Sequence, residues 1–340
     1  SYRSKFRQPA PEGKECHIPY LSIGNDLKLI NLHRTLGYFI RGLRIISRRK
    51  TKGNSNVFYC IGPINIENIL FVTWAKVLRY KIVFDINEDY SFFEDNVKAI
   101  SKLKIRTTRI LDVLTSAWAE SITVVSTHLK KKYSARTRKP VILIPVTARQ
   151  NRNQDRKIFN RPLQVIYAGT FDLKDGVETL IEGFLLFNRA FRDSQLILIG
   201  KSDLQEKYAK KYYNAENITF LGYVPDIRFY ELLQNADVLC MCRTNSGFSN
   251  AGFPFKLGEY LATGNPVIAT RASDVCDYLT PDDAYLIDFD SPGSIEAALQ
   301  RIVENPDEAK QVGLNGFLKY RRHFSPESNG KLMLDMLMNL

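Results

Sequence analysis

The stretch GFPFKLGEYLATGNPVIAT, residues 252–270, predicts a short helix followed by a buried strand. Pro254 suits the start of a helix, because the N–H that proline lacks has no intrahelical partner in the first turn. Gly264 suits the end of the same helix. The apolar run at residues 266–270 is typical of a short core strand. The apolar side chains of the helix, which we expect to be buried, are Leu257, Tyr260 and Leu261.

The two charged residues of this helix, Lys256 and Glu259, are three positions apart. This spacing places them on one face, near the start of the helix and at the edge of the predicted sheet. Helix N-termini at sheet edges bind anions and nucleotides, because unpaired N–H groups and the helix dipole favour negative charge. The stretch therefore predicts an anion or nucleotide site.

Apolar runs alternate with helical patterns along the chain, which indicates parallel sheets built from strand–helix–strand crossovers. In the first half the predicted strands are 57–61, 81–85, 121–125 and 141–145, and the helices are 66–79, 97–119 and 127–134. In the second half the strands are 163–168, 195–199, 218–221, 238–242, 266–269 and 284–287, and the helices are 176–192, 203–214, 227–236, 254–263, 293–304 and 306–322. The fold class is therefore α/β, with two doubly wound Rossmann-like domains and a cleft between them.

A polar stretch without apolar periodicity separates the two sets of strands and reads as a linker. We expect a first domain at residues 1–146, a linker at 147–160 and a second domain at 161–325. An amphipathic helix at 326–340 is left over, and we expect it to pack back on the first domain.

Charge divides the chain in the same way. Residues 1–155 hold 28 Lys and Arg against 12 Asp and Glu, a net charge of +16. Residues 156–340 hold 20 against 24, or −4, and the two halves together give the +12 of the chain. This asymmetry indicates two domains with different partners. Nucleic acid is not an expected partner, because the basic half has no recognition motif and no interleaved aromatic residues.

Other classes are disfavoured by composition. No apolar run reaches the ~18 residues of a membrane span, and no secretory signal pattern is visible. The cysteines are scattered and odd in number, which favours a reducing cytoplasm. Cys240 and Cys242 lie in an apolar strand and are expected to be buried thiols rather than metal ligands.

A helix at residues 28–50 has one apolar side and one basic side. Two interpretations remain open. The helix packs on its sheet with a solvated basic face, or it lies on an anionic membrane surface on the cytoplasmic side. The arginines of its polar face are Arg34, Arg41, Arg44 and Arg48.

Four motifs resemble those of glycosyltransferase family 4 in order and spacing. They are VIYAGTFDLKDGVETLIEGF (165–184), LILIGKSD (196–203), ITFLGYVPDIRFYELLQNADVLCMC (218–242) and the opening stretch (252–270). The first half matches more loosely, through KIVFDINEDY (81–90). The resemblance implies a GT-B fold and a retaining enzyme of the bacterial polysaccharide type. Such an enzyme moves a sugar from a nucleoside diphosphate to a hydroxyl of a lipid-linked or growing glycan.

The resemblance also implies roles for single residues. Glu259 takes the place of the glutamate that binds the ribose hydroxyls, and a carboxylate suits a diol because it accepts two hydrogen bonds. Lys174 takes the place of the basic residue that neutralises the donor diphosphate. The remaining expected donor-binding residues are Gly169, Thr170, Gly200, Lys201, Tyr223, Val224, Arg243, Asn250, Gly252, Phe253, Lys256 and Leu257.

Several positions depart from the family pattern. Ala251 stands where the family has an earlier glutamate, so Ser249, Asn250 and the backbone at Gly252 and Phe253 would hold the donor sugar. Residues 1–24 lack the usual first strand and glycine-rich loop, which we expect to be missing.

The acceptor-side motif departs as well. Asn87 replaces a histidine, and Asp85 occupies a nearby or equivalent place and is the third catalytic candidate beside Lys174 and Glu259. The acceptor-side candidates are Gly62, Glu88 and Asp89.

No metal or other cofactor is expected, because cationic side chains of GT-B enzymes offset the leaving-group charge. Asp288-Phe-Asp290 has the spacing of a metal site, but it precedes a helix and is expected to cap it. The alternative to an enzyme is a nucleotide-sugar-binding scaffold with weak or no turnover, which the missing glutamate favours.

Overall fold

The computed structural model describes residues 32–52, 55–92, 99–151 and 163–340. Within them, the N-terminal half forms a parallel sheet of four strands and the C-terminal half a parallel sheet of six. The N-terminal elements are α1 Leu32–Arg49, β1 Val57–Ile61, α2 Ile69–Val77, β2 Lys81–Ile86, α3 Ala99–Trp118, β3 Ser121–Val124, α4 Thr127–Ser134 and β4 Val141–Leu143.

The C-terminal elements continue the alternation. They are β5 Gln164–Ala168, α5 Val177–Asn188, β6 Gln195–Ile199, α6 Asp203–Lys211, β7 Ile218–Gly222, α7 Asp226–Asn235, β8 Val238–Met241, α8 Gly247–Ala251, α9 Phe255–Leu261, β9 Val267–Thr270, α10 Val275–Tyr278, β10 Tyr285–Ile287, α11 Pro292–Glu304, α12 Pro306–His323 and α13 Pro326–Met338. The strand order is β1-β2-β3-β4 in the first sheet and β10-β9-β8-β5-β6-β7 in the second.

The predicted α/β class with two parallel sheets is confirmed, and each predicted strand is present with its ends within two residues of the prediction. The strands are central and nearly continuous in apolar residues, because helices cover both faces of a parallel sheet. Two short helices, α8 and α10, were not predicted, since four or five residues show no apolar period.

The opening stretch folds as predicted except at its start. Pro254 is the residue before α9, with φ −73° and ψ 104°, rather than part of the first turn. Leu257, Tyr260 and Leu261 are buried, and Gly264 has a φ of +74° that suits a residue without a side chain. The predicted role of Asp288 and Asp290 as caps is wrong. Ser291 caps α11, and its Oγ accepts a hydrogen bond from Ser294 N.

Helix α1 packs on α2 through its apolar side. The rings of Phe39 and Phe71 stack with centroids 5.3 Å apart, and Trp74 Nε1 donates to Ser47 Oγ at 2.9 Å. A Cβ atom at Gly42 would overlap with the Phe71 ring, so the two helices are in close contact. The basic residues of α1 whose side chains are described, Arg41, Arg44 and Arg48, are exposed. Residues 1–31, where we expect the usual first strand and glycine-rich loop to be missing, lie outside the described part of the chain, as does the side chain of Arg34.

Residues at the end of the N-terminal half connect closely to the C-terminal helices. Ala148 N donates to Phe324 O at 2.9 Å, and Tyr320 Oη donates to Ala148 O at 3.0 Å. Asn329 of α13 donates to Pro145 O at 3.0 Å and to Thr147 Oγ1 at 2.8 Å. Helix α13 therefore binds the segment that leaves β4.

Among the described residues, no helix has both the length and the apolar character that crossing a bilayer requires. The prediction that Cys240 and Cys242 have buried thiols is confirmed. Cys240 and Cys242 are buried, and burial raises the pKa of the Cys242 thiol to about 12. Cys276 is exposed.

Candidate functional site

The site lies where the order of the larger sheet reverses, between β5 and β8. In open α/β sheets, ligands bind at such a switch point, outside the carboxyl ends of the strands. The loop after β5 carries Lys174, and the loop after β8 carries Arg243. Helix α9 adds Lys256 and Glu259, so residues distant in sequence meet at one sheet edge.

A buried carboxylate, Asp175, is at the centre of this cluster, and its side chain is 3% exposed. Lys256 Nζ donates to Asp175 Oδ1 at 2.9 Å and to Tyr167 Oη at 2.8 Å. The same ammonium lies 4.6 Å from the centroid of the Tyr167 ring, within the range of a cation–π contact. Thr170 Oγ1 donates to Asp175 Oδ2 at 3.0 Å. These contacts hold Lys256 in one position inside the cleft.

Two further cations surround the pair. Arg243 Nη1 donates to Ser249 O at 2.8 Å, and Arg243 N donates to Thr270 Oγ1 at 3.0 Å. Lys174 Nζ lies 4.5 Å from the centroid of the Phe248 ring and 3.8 Å from a carboxylate oxygen of Asp172, which is 57% exposed. We call Lys174, Arg243, Lys256 and Asp175 the donor cluster.

The ionisation of the donor cluster reflects a competition between burial and charge. Burial acts to raise the pKa of Asp175, but the charge and hydrogen bond of Lys256, with help from Arg243, outweigh it and hold the pKa below its usual range. Burial lowers the pKa of Lys256 and of Arg243, although Asp175 opposes both shifts. Lys256 and Arg243 thus act on one buried acid, Lys174 lies beside an exposed acid, and the remaining excess of positive charge is suited to a diphosphate.

The glycines of this region are explained by packing. A Cβ atom at Gly169 would overlap with Lys256 Cε and Nζ, and one at Gly200 would overlap with the Gly169 carbonyl. Gly200 has a φ of +140°, which favours glycine. Gly169 is one of the expected donor-binding residues, and in the structure the Lys256 side chain occupies the space beside it.

Glu259 differs from the donor cluster because its carboxylate has no hydrogen bond or ion pair within the described residues. Burial raises its pKa to about 7, and Lys256 only partly offsets this shift. Desolvated carboxylates without a partner are costly. Glu259 therefore has both acceptor oxygens available for a ligand.

The segment around Ala251, the position at which the family has a glutamate, is closely packed. Ser249 is fully buried, and within the described residues its Oγ has no hydrogen-bond partner. Asn250 Nδ2 donates to Asn245 Oδ1 at 2.9 Å, and Asn250 Oδ1 accepts from Ser273 N at 3.1 Å. The Phe253 side chain lies in the core, so only its backbone is available to a ligand.

The other predicted donor-binding residues lie outside the donor cluster. Leu257 is buried in the core, so its side chain presents no surface to a ligand. Val224 packs against the core, whereas Lys201 and Tyr223 are exposed beyond β6 and β7. Gly252 faces the N-terminal domain, where the nearest atom to a Cβ placed on it would be Asn87 O at 3.6 Å.

The third catalytic candidate, Asp85, and the acceptor-side candidates Glu88 and Gly62 have three different environments. Asp85 Oδ1 accepts from Thr123 Oγ1 at 2.9 Å, and burial raises the pKa of Asp85. Its carboxylate thus bonds to a neighbouring strand. Glu88 is exposed. Gly62, with a φ of +82°, donates its N–H to Asp85 O at 2.7 Å.

Asp89 is 3% exposed and belongs to an ionic network. Its carboxylate accepts from Lys132 Nζ at 2.7 Å and contacts His128 Nε2 at 2.9 Å. Lys132 Nζ also lies 3.3 Å from Asp112 Oδ2, and Arg136 Nη1 lies 2.8 Å from the same oxygen. Burial acts to raise the pKa of Asp89, but the hydrogen bonds outweigh it and hold the pKa far below its usual range. We call these five residues the N-terminal network.

The two domains contact each other beside the site. Ser126 Oγ donates to Ala251 O at 2.7 Å, and Thr127 N and Oγ1 each donate to Asp274 at 2.6 Å. The Phe92 ring fills the space beside Gly247.

Sequence reasoning did not identify Asp175, Tyr167, His128 or Asp274. For Asp175 a signal was available, since the sequence has an acid directly after Lys174 and before a glycine. The part of the chain that the structure describes contains no group of three or more His, Cys, Asp or Glu side chains that could hold a metal ion.

Two parallel-sheet α/β domains, with the site in the crevice between them, define the GT-B class of proteins. The sequence profile of the family described as "Glycosyl transferases group 1" matches residues 148–319, half of the chain. The chain belongs to this family.

Individual relatives agree with this assignment. A sucrose-phosphate synthase from Thermosynechococcus elongatus has a TM-score of 0.66 at 17% identity, over 91% of this chain and 79% of that one. The Anabaena protein HepE, solved in complex with UDP, has a TM-score of 0.68 at 12% identity, over 89% and 82%. These similarities establish the fold.

A curated relative also matches. A phosphatidyl-myo-inositol mannosyltransferase from Mycobacterium leprae is 28% identical over 107 residues. The match spans 31% of this chain and 28% of the length of that relative.

Proposed function

We infer that the protein is a retaining glycosyltransferase that moves a sugar from a nucleoside-diphosphate sugar to a hydroxyl of a lipid-linked or growing glycan. The observation that supports this most strongly is the donor cluster beside Glu259. It offers excess positive charge for a diphosphate and an unpartnered carboxylate for a ribose diol.

The chemistry requires the bond between the anomeric carbon and the diphosphate to break. Its electron pair leaves with the diphosphate, and Lys174, Arg243 and Lys256 stabilise that charge. The acceptor oxygen bonds to the anomeric carbon on the same face, and its proton passes to the departing diphosphate. No side-chain nucleophile takes part in this scheme.

A lipid-linked acceptor is supported by the mannosyltransferase relative, whose name gives a phosphatidylinositol. It is also supported by the basic N-terminal half and by the exposed Arg41, Arg44 and Arg48 of α1. We propose peripheral attachment to the inner face of the plasma membrane, on the cytoplasmic side. We also propose that turnover needs no metal, because the cleft supplies its own cations.

A scaffold that binds nucleotide sugars without turnover is the second candidate. Ala251 favours it, because this residue offers no carboxylate to the donor sugar. Hydrolysis or transfer of a radiolabelled UDP-sugar would separate the two candidates.

The donor site is tested by titrating UDP-glucose calorimetrically into the wild type and Glu259→Gln. The loss of a charge-assisted hydrogen bond costs about 1.5–3 kcal/mol, so we expect roughly ten- to hundredfold weaker binding. UDP-glucose is used in place of UDP because the terminal phosphate of UDP changes its charge at about pH 6, which would add a second pH dependence to the binding. A folded variant that binds with wild-type affinity would remove the assignment of Glu259.

The same titration has a pH dependence. The diol needs the ionised carboxylate, and the pKa of Glu259 is raised to about 7. Wild-type affinity should therefore rise by about tenfold in total between pH 6 and pH 8, because the ionised fraction of the carboxylate rises from about a tenth to about nine tenths. The Glu259→Gln variant should show a flat profile over this range.

A further inference from the structure

An open pocket of about 550 Å³ lies beside the donor cluster, between the two domains. Its N-terminal wall is the first part of α4, with Thr127, His128 and Lys131. Its C-terminal wall is formed by residues that follow β8, β9 and β10. Among the described donor candidates, Asn250 alone lines it. The pocket is therefore adjacent to the donor cluster and separate from it.

The pocket has more positive than negative charge. Lys131 and Arg271 line it from opposite domains, and among the described residues neither side chain has a hydrogen bond or ion pair. Its acid, Asp274, is 4% exposed, and Thr127 supplies it with two hydrogen bonds of 2.6 Å. His128 adds an imidazole whose Nε2 contacts Asp89. The two free cations make the pocket attractive to an anion.

Ser273 is an independent sign of a ligand site in this pocket. Its φ is +53°, a conformation that costs energy for any residue with a side chain. Its Oγ is buried and, within the described residues, has no hydrogen-bond partner. Strained residues and unpaired buried hydroxyls persist where the surrounding structure serves a function. Rotation about χ1 would turn this covered Oγ toward the pocket, where a ligand oxygen would supply the missing partner.

We propose that this pocket binds an anionic group, a phosphate or a carboxylate, that belongs to the acceptor. The proposal rests on the function inferred above, since it needs a donor at the donor cluster. Arg271 and Ser273 follow β9, which is two strands, or about 10 Å, from β5, whose loop carries Lys174, and one strand from β8, which Arg243 follows. The distance from the Lys174 loop leaves room for the transferred sugar between the donor diphosphate and the acceptor anion.

The test is calorimetric titration of glycerol 3-phosphate, with glycerol as the neutral control and glucuronate as the carboxylate. Each titration is run with and without UDP, which fills the donor cluster. We expect the wild type to bind the anions and not glycerol. Arg271→Gln and Lys131→Gln should each bind roughly tenfold more weakly. Lys130→Gln is the matched control, because Lys130 is exposed on the same helix and does not line the pocket.

A third variant tests the hydroxyl. Ser273→Gly removes Oγ and suits the positive φ, so the fold is retained while anion binding weakens. Preference for glycerol 3-phosphate would identify a phosphate on the acceptor, and preference for glucuronate an acidic glycan. Equal affinity in wild type, Arg271→Gln and Lys131→Gln, or absence of anion binding to the wild type, would overturn the proposal.

The inferred function and the pocket can fail separately. UDP should bind to Arg271→Gln and Lys131→Gln as it does to the wild type. Loss of UDP binding in these variants would make the pocket part of the donor site and overturn the proposal. If the wild type does not bind UDP, the inferred function fails, whereas the titrations without UDP still decide whether the pocket binds anions.

Discussion

The donor cluster and the N-terminal network are both built from buried charges, but they balance them differently. In the network, Asp89 and Asp112 are matched by Lys132, Arg136 and His128. In the donor cluster, three cations meet one buried acid, Asp175, and Lys174 also lies 3.8 Å from an exposed acid, Asp172. A balanced network satisfies itself, whereas an excess of one sign needs a ligand of the opposite sign.

The two domains also place their excess charge differently. The C-terminal half has a net charge of −4, yet it gathers cations inside the cleft. The N-terminal half has a net charge of +16, and the described arginines of α1 are on its surface. The net charge of a domain therefore does not show where a binding site lies, whereas a local excess of charge of one sign does.

The largest expected effect comes from neutralising the acid of the donor cluster. Asp175→Asn leaves Lys256 buried without its ion-pair partner, and breaking a buried pair costs about 3–5 kcal/mol. Urea unfolding monitored by circular dichroism measures the loss. The double variant Asp175→Asn/Lys256→Met should regain most of the stability, because it removes the uncompensated charge as well. If the double variant is no more stable than Asp175→Asn, the pair does not act as described.

A smaller loss is expected in the balanced network. Asp89→Asn deprives Lys132 of one acid, but Asp112 remains 3.3 Å away, so we expect about 2 kcal/mol. The pKa of Asp89 is held below its usual range, so its contribution is present above the unfolded pKa of about 3.9. The difference between wild type and Asp89→Asn should therefore stay constant from pH 7 to about pH 5 and shrink as the pH falls further toward the folded pKa. If Asp89→Asn lowers the free energy of unfolding as much as Asp175→Asn does, the two sites do not differ as described.

The exposed charge of the N-terminal half predicts reversible membrane binding. Each arginine near an anionic surface contributes about 1 kcal/mol, and salt screens this attraction. The wild type should sediment with anionic liposomes at low salt and be released at high salt. A variant with Arg34, Arg41, Arg44 and Arg48 changed to Gln should stay in the supernatant. Equal sedimentation of both proteins would show that α1 only packs on α2.

No effect is expected from chelation. Cations of the donor cluster offset the leaving-group charge, so transfer or hydrolysis of the donor should persist in EDTA. Asp288→Asn should also leave turnover unchanged, since Asp288 is exposed beyond β10. A strict requirement for manganese or magnesium that Asp288→Asn abolishes would contradict this prediction.

The sequence by itself determined the strands and helices, because burial in a parallel sheet demands apolar runs of a given length and spacing. The strands at 57–61 and 195–199 have the predicted bounds. The motif around Glu259 likewise predicted the family, which the comparisons show. Short helices such as α8 gave no periodic signal and could not be predicted.

Tertiary structure decided how the charged side chains pair. Lys256 was expected to face a ligand, yet it bonds to Asp175, 81 positions earlier, because folding brings the loop after β5 against α9. Thr127 and Asp274 meet across 147 positions for the same reason, when the two domains close on each other. Periodicity records which side of an element is buried, but not which element covers it. The choice of partner depends on strand order and domain contact, which are properties of the folded chain.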